Sequence, residues 1–579
     1  MKFLRAPRGA VLFLFLFALA LRFIGLTWGL PNAERWYSYH PDERDIANAV
    51  FQLDFLAGQW NPHFYNYPSL FLYLTYIVHG AMAMLGFTHA PPETWSVLRE
   101  IIWSGRLVSA FLGAATAPLT FLIAREWFRV ESKSETERTG KKTDGAAFAG
   151  LLMALLPGHI QHSHFASVDV TATFFVALSL LFATRALRDK SETKWRAKQL
   201  LLSALFAGFA AATKYNAVIV LVAPLLASWL CAKSTPEKER TFLRSAIPIF
   251  GVALFGFIAG CPGALRSPSE FWGNGRNTGF AYELLVHPKQ GHGEIFLETG
   301  HFGWWHHLGF NLPFVMTTPL LLLSLCGLAI IVVQMSRTKN FVFLPAIAFT
   351  ILFFVSLGFS QVRFMRYVFP LLPVLCPCAV WVLCSKIKRP FEPKKIAPDV
   401  ATTFFLLFFL ARVTMNSFDR FTQIDPRDQA AQWMRTATAS QSKPVSIGLA
   451  NNPWFWTPPF TKENAPPGTS PQKVAEILVS NANYSLKVIG FDAQKLAEIK
   501  PQFFVMSEFE WQDKVRLNNA PFLQFMESLN RSYKLQEVFG RENGFWKSTG
   551  KAKFPSIVPH DYLYANPQMR IYTRRPNAP

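Results

Sequence analysis

Four ionisable residues stand where an otherwise apolar chain has little reason to carry charge: Asp42, Asp169, Lys214 and Arg366. Asp42 lies beside Glu43 in YSYHPDERD (37–45), directly after the first long apolar run. Asp169 opens the apolar run of HFASVDVTATFF, Lys214 interrupts FAGFAAATKYNAVIVLVAP, and Arg366 follows Arg363 in QVRFMRYVFPLLP. A carboxylate can act as general base on a hydroxyl or an amine. A lysine offers a phosphate a point charge and an arginine offers it a fork. Arg106, in WSGRLVSAF, is a further basic candidate. Each residue also has a plainer reading. Asp42 and Glu43 could be a solvated loop pair, Asp169 a helix N-cap, and Lys214 a chain that snorkels to an interface. Adjacent carboxylates point in different directions, so only one of Asp42 and Glu43 is expected to face a given substrate. His40, Arg44 and Asp45 read as loop structure.

Two groups could contribute metal ligands: His159, His162 and His164 ahead of Asp169, and Glu294, Glu298 and His301 in GHGEIFLETGHFG. Neither has the spacing of a closed metal site, so a divalent metal stays an open expectation and no cofactor is implied outright. The P-loop, nucleophile-elbow and HExxH motifs are absent, which argues against an ATP-driven pump and a familiar serine or zinc hydrolase.

These residues must be positioned by membrane helices. The 579 residues are 51% hydrophobic and 16% charged, with 56 Phe and 17 Trp, and a spanning helix needs roughly 20 apolar residues. Twelve segments qualify, near 9–30, 68–88, 98–124, 145–162, 168–187, 199–214, 215–232, 245–262, 313–335, 341–358, 367–384 and 399–416. Arg22 inside the first is expected to face the bundle or snorkel. The formal net charge of +21 reflects Lys and Arg between apolar runs, the signature of cytoplasmic loops rather than of nucleic-acid binding. The six cysteines lie in or beside apolar segments and read as small core residues.

Basic loops at 125–142, 185–198, 233–244, 337–339 and 386–395 belong in the cytoplasm with the N-terminus. Between the N-terminus and 125–142 the chain must then cross an even number of times, yet three apolar segments lie there. The 68–88 segment, which begins with Pro68 and carries His79 and Gly80, is the one expected to lie along or dip into the outer interface. About eleven helices then span, and Asp42, Asp169, Lys214, Arg366 and the C-terminus share the outer face.

After residue 416 the composition turns polar. KPVSIGLA (443–450) and PQFFVMSE (501–508) read as buried strands and PQKVAEILVS (471–480) as a helix. The expected architecture is an all-α membrane domain over 1–416 with interfacial helices, followed by an α/β extracytoplasmic domain over 417–579.

The order of HPDE, NPHFYNYPSLFLYL, SVDVTATFF, ATKYNA and RYVFPLLP resembles the GT-C membrane glycosyltransferases. The resemblance is to bacterial relatives of the dolichyl-phosphate-mannose protein O-mannosyltransferases, with the lipid A aminoarabinose transferases as cousins. It implies transfer of a sugar from a polyprenyl-phosphate donor in the bilayer to an extracytoplasmic protein, lipid or glycan, with inversion, in the plasma (inner) membrane. It implies Asp42 as catalytic base with Glu43 beside it. It further implies matching positions for Asp169, Lys214 and Arg366; in the expected mechanism Asp169, with His164, orients the acceptor or a metal, and Lys214, Arg366 and the further candidate Arg106 bind the donor phosphate. Glu298 and His301 are the remaining metal candidates. The competing reading is a lipid or solute transporter, but transporters often carry paired repeats and the sequence shows none.

Overall fold

The computed structural model describes residues 7–35, 37–88, 94–128, 141–188, 193–233, 236–273, 277–290, 302–384, 400–441, 444–460, 473, 476–477, 484–541 and 557–576. Among these, six helical segments are long and apolar enough to cross a membrane: Ser96–Phe128, Val168–Arg188, Tyr215–Ala232, Lys238–Gly260, Thr318–Thr338 and Met365–Leu383. The protein is an integral, multi-pass membrane protein. Leu70–Met84, Gly145–Leu155 and Phe341–Leu357 are shorter apolar helices.

These six are among the eleven spans expected, and several of the other expected segments form shorter or divided helices among the described residues. Leu156–Pro157 divides the 145–162 run into two helices, Lys141–Leu155 and Pro157–Ser163, because proline cannot donate to the preceding turn. Thr193–Ala211 starts with Lys194, Arg196 and Lys198. The Leu70–Met84 helix has 15 residues, about 22 Å at 1.5 Å per residue, against a hydrocarbon core of about 30 Å.

The helices pack through small residues, the usual device where lipid offers no hydrophobic drive. A methyl group at Gly208 would lie 2.2 Å from the Ala253 carbonyl oxygen, and one at Gly256 would lie 2.7 Å from that of Leu205. The Thr193–Ala211 and Lys238–Gly260 helices therefore cross in backbone contact. Arg22 faces the bundle: its guanidinium donates to Ser163 Oγ at 3.1 Å and to the Ala18 carbonyl at 2.9 Å, and meets His159 Nδ1 at 3.0 Å. Cys231, Cys261, Cys326, Cys376 and Cys378 are free thiols.

The Val400–Thr422 helix leads into a small α/β unit. Its sheet has the order β2-β1-β3-β5-β4, formed by β1 Ser446–Leu449, β2 Ser485–Val488, β3 Phe503–Ser507, β4 Tyr533–Phe539 and β5 Met569–Arg574. β1 runs parallel to β2 and β3, while β5 is antiparallel to β3 and β4. β3, FFVMS, is buried along its whole length, as its unbroken apolar run predicts for an interior strand. Both strands expected from sequence are present as β1 and β3. The helix expected over 471–480 lies largely outside the described residues.

Candidate functional site

The HPDE tetrapeptide begins a helix. Pro41–Phe51 has His40 at its N-cap, Pro41 at its first position, and Asp42 and Glu43 in its first turn. That is a strong start signal, because the cap accepts an otherwise unpaired amide, proline is preset for the turn and acids favour the positive end. His40 Nδ1 accepts from the Asp42 amide at 3.3 Å, so this nitrogen is unprotonated. Burial, reinforced by Arg366 and Arg106, holds the imidazole pKa well below its usual value.

The helix turns the two neighbouring carboxylates apart. Asp42 Oδ2 accepts from Arg366 Nη2 and from the Tyr67 hydroxyl, each at 3.1 Å. Burial pushes the Tyr67 pKa far up, which keeps that hydroxyl a donor. Arg366 Nε approaches Asp169 Oδ2 at 3.4 Å, and Asp169 Oδ1 accepts from Lys214 Nζ. Asp42, Arg366, Asp169 and Lys214 thus form one ladder of alternating charge.

Local structure explains the placements. Asp169 lies in the first turn of Val168–Arg188, where the Ser167 hydroxyl accepts the Asp169 amide at 3.4 Å, so Ser167 caps the helix and Asp169 is released to bind cations. Lys214 is extended at the break between Thr193–Ala211 and the 3-10 turn Tyr215–Leu221, with Nζ 4.0 Å from the centre of the Tyr367 ring. Arg366 sits in the opening 3-10 turn Met365–Leu371.

Asp42, Lys214 and Arg366 line the polar end of a cavity of about 760 Å³. Its other walls include Val218, Phe250, Leu254, Leu285 and Phe359, all exposed on the protein surface. Such a space suits a ligand with an anionic head and an apolar tail.

Residues 13–259 match the family model described as dolichyl-phosphate-mannose-protein mannosyltransferase. That match covers less than half of the chain, and over those residues the chain is similar to the family. The matched segment carries Asp42, Asp169 and Lys214 and ends before Arg366. No curated protein matches the chain. Among solved structures, ArnT from Cupriavidus metallidurans bound to undecaprenyl phosphate is similar at 15% identity over 88% of this chain and 95% of its own, with a TM-score of 0.49. AglB from Archaeoglobus fulgidus, in complex with an inhibitory peptide and a dolichol-phosphate, is similar at 12% identity over 95% of this chain and 75% of its own, with a TM-score of 0.49. The Saccharomyces cerevisiae Pmt1–Pmt2 complex bound to the sugar donor is similar at 16% identity over 46% of this chain and 35% of its own, with a TM-score of 0.32.

Three residues expected in the site lie elsewhere. Glu43 and Arg106 are completely buried against each other: Arg106 Nε donates to Glu43 Oε1 at 2.7 Å and Nη2 to Oε2 at 2.8 Å. Arg106 Nη1 donates to the carbonyls of Leu26 and Trp28, and Glu43 Oε1 also accepts the Ala166 amide. The pair is thereby engaged with itself and with backbone, and neither residue lines the cavity. His164 is also withdrawn. Its ring nitrogens each lie 2.8 Å from a carbonyl oxygen, of Ile160 and Ile24, and its ring stacks on Phe421.

Glu294, Glu298 and His301 lie outside the described residues. Among the described residues no three of His, Cys, Asp and Glu converge as a metal site.

Sequence reasoning missed Glu283 and His287, which line the cavity. His287 Nδ1 is 3.2 Å from Glu283 Oε2, and Asn66 Nδ2 donates to Glu283 Oε1 at 3.1 Å. The signal was their i,i+4 spacing in YELLVH (282–287).

Proposed function

We propose that this protein transfers a sugar from a polyprenyl-phosphate donor to an extracytoplasmic acceptor. The observation that carries the reading is the cavity, whose largely apolar walls meet the Asp42 carboxylate and the adjoining cations Lys214 and Arg366. The family match over residues 13–259 supports the same reaction class.

In this mechanism the polyprenyl tail occupies the apolar walls and the phosphate meets Lys214 and Arg366. Asp42 takes the proton from the acceptor hydroxyl or amine as that group attacks the anomeric carbon. The bond from that carbon to the phosphate oxygen breaks, and its electron pair leaves with polyprenyl phosphate. Lys214 and Arg366 stabilise the charge that grows there. Asp169 holds the two cations apart before the donor arrives. Glu283, held by Asn66 and His287, presents acceptors for sugar hydroxyls. Inversion follows from a single displacement.

Lys214→Ala is expected to weaken binding of polyprenyl phosphate to the purified protein by about 10-fold or more, the scale of one charge-assisted contact. Unchanged affinity would remove Lys214 from the donor site.

The site and the C-terminal unit lie on the extracytoplasmic face of the plasma membrane in this reading. In a cysteine-free background, an impermeant thiol reagent is expected to label Lys487→Cys on intact cells and Arg240→Cys only after lysis. Both positions are exposed, and labelling of both from outside would overturn the topology.

A further inference from the structure

The segment between β4 and β5 returns to the membrane domain as a strap over 558–566. Its first residue exchanges two hydrogen bonds with Gln512: Gln512 Nε2 donates to the Val558 carbonyl and the Val558 amide donates to Gln512 Oε1, each at 3.0 Å. Gln161, in the membrane domain, donates to the carbonyls of Asp561 and Tyr562, both at 3.2 Å. Arg427 donates to the Tyr564 carbonyl at 2.7 Å. The strap is therefore tied from both sides.

Two of its side chains reach the opening turn that carries Arg366. Asp561, completely buried, accepts the backbone amides of Met365 at 2.9 Å and Arg366 at 3.1 Å. The turn has no cap of its own, because Phe364 stands at that position. Asp561 Oδ2 also lies 3.4 Å from His162 Nε2, and burial raises the Asp561 pKa to about 6. The Tyr564 hydroxyl accepts from Arg366 Nη1 at 3.0 Å. With Nη2 on Asp42 and Nε near Asp169, all three guanidinium nitrogens are held in one orientation.

We propose that the strap is a positioning element of the donor site: Asp561 fixes the backbone of the Met365–Leu371 turn, and Tyr564 aims the Arg366 guanidinium at the donor phosphate. The proposal rests on the donor reading given above. It gives the C-terminal unit a share in transfer, since docking that unit completes the hydrogen-bond set of a phosphate-binding arginine. A guanidinium free to rotate would lose part of its advantage over an ammonium, which is its fixed fork.

The test is steady-state transfer by the full-length protein in liposomes, with Tyr564→Phe as the main variant. The ring of Tyr564 stacks on Phe509 and meets His40 edge-on at 4.5 Å; phenylalanine keeps both contacts and removes only the hydroxyl. The expected result is a donor KM raised about 10-fold, with acceptor KM and melting temperature unchanged. Asp561→Asn, which sets an amide against two backbone donors, is expected to shift the same parameter. In an Arg366→Lys background, Tyr564→Phe is expected to have no further effect. Wild-type donor KM in Tyr564→Phe would overturn the proposal. So would full multiplication of the Tyr564→Phe and Arg366→Lys effects, since the strap would then act independently of the arginine. Failure of the wild-type protein to bind polyprenyl phosphate would instead defeat the donor reading itself.

Discussion

Asp42→Asn is expected to lower sugar transfer by a factor of about 10² to 10⁴, the range over which a positioned general base contributes. The substitution preserves size and leaves one oxygen to accept from Arg366 or Tyr67, the two groups that fix the carboxylate. What it removes is the capacity to take a proton. The helix that carries Asp42 is capped through the Asp42 backbone amide by His40, so the start of the helix is retained. The measurement is transfer from a radiolabelled lipid-linked donor in membranes containing equal amounts of each protein. Donor binding should persist, because Lys214 and Arg366 remain. Transfer near the wild-type rate would show that Asp42 does not act as the base.

Glu43→Gln is expected to act on stability instead, with a loss of roughly 3–5 kcal/mol, the scale found when one partner of a buried ion pair is removed. Glu43 and Arg106 have no exposed side-chain surface, and the glutamine amide would face a guanidinium already committed to the carbonyls of Leu26 and Trp28. The pair joins the Pro41–Phe51 helix, the Thr94–Phe128 helix and the backbone at Ala166. Thermal unfolding in detergent is the direct measurement, and the folded fraction should keep its donor affinity. Replacing both residues by apolar groups of similar volume should cost less than either single change, because no buried charge is stranded. A Glu43→Gln protein that melts like wild type yet loses transfer as fully as Asp42→Asn would return Glu43 to the chemistry.

These opposite fates of adjacent residues show where sequence reading succeeds. That two neighbouring carboxylates cannot face one ligand follows from backbone geometry alone. Which of them faces the cavity depends on the helix phase, and that phase is set by the start signal in His40-Pro41-Asp42-Glu43. The grouping of Asp42, Asp169, Lys214 and Arg366 was legible because charge in apolar runs is costly and therefore informative. The destinations of Arg106 and His164 were not, since burial against a particular carboxylate or carbonyl is set by tertiary packing. Strands β1 and β3 were readable from continuous apolar runs, whereas β4 and β5, half polar in sequence, were not. Glu283 was overlooked because its neighbours lack the density of charge seen at 294–301. Asp561 was beyond reach: it meets Met365 across 196 positions and, through its carbonyl, Gln161 across 400, and no local pattern encodes such contacts.

The cap that Asp561 places on the Met365–Leu371 turn is also made late. Arg366 leaves the ribosome 195 residues before the carboxylate that caps its turn. At about 5–20 residues per second, that is an interval of roughly 10–40 s in which the described spanning segments have already been synthesised but the arginine lacks its support. A growing chain therefore holds the cavity-lining arginine before it holds the carboxylate that caps its turn, and the strap near the C-terminus is made last of the groups that orient Arg366.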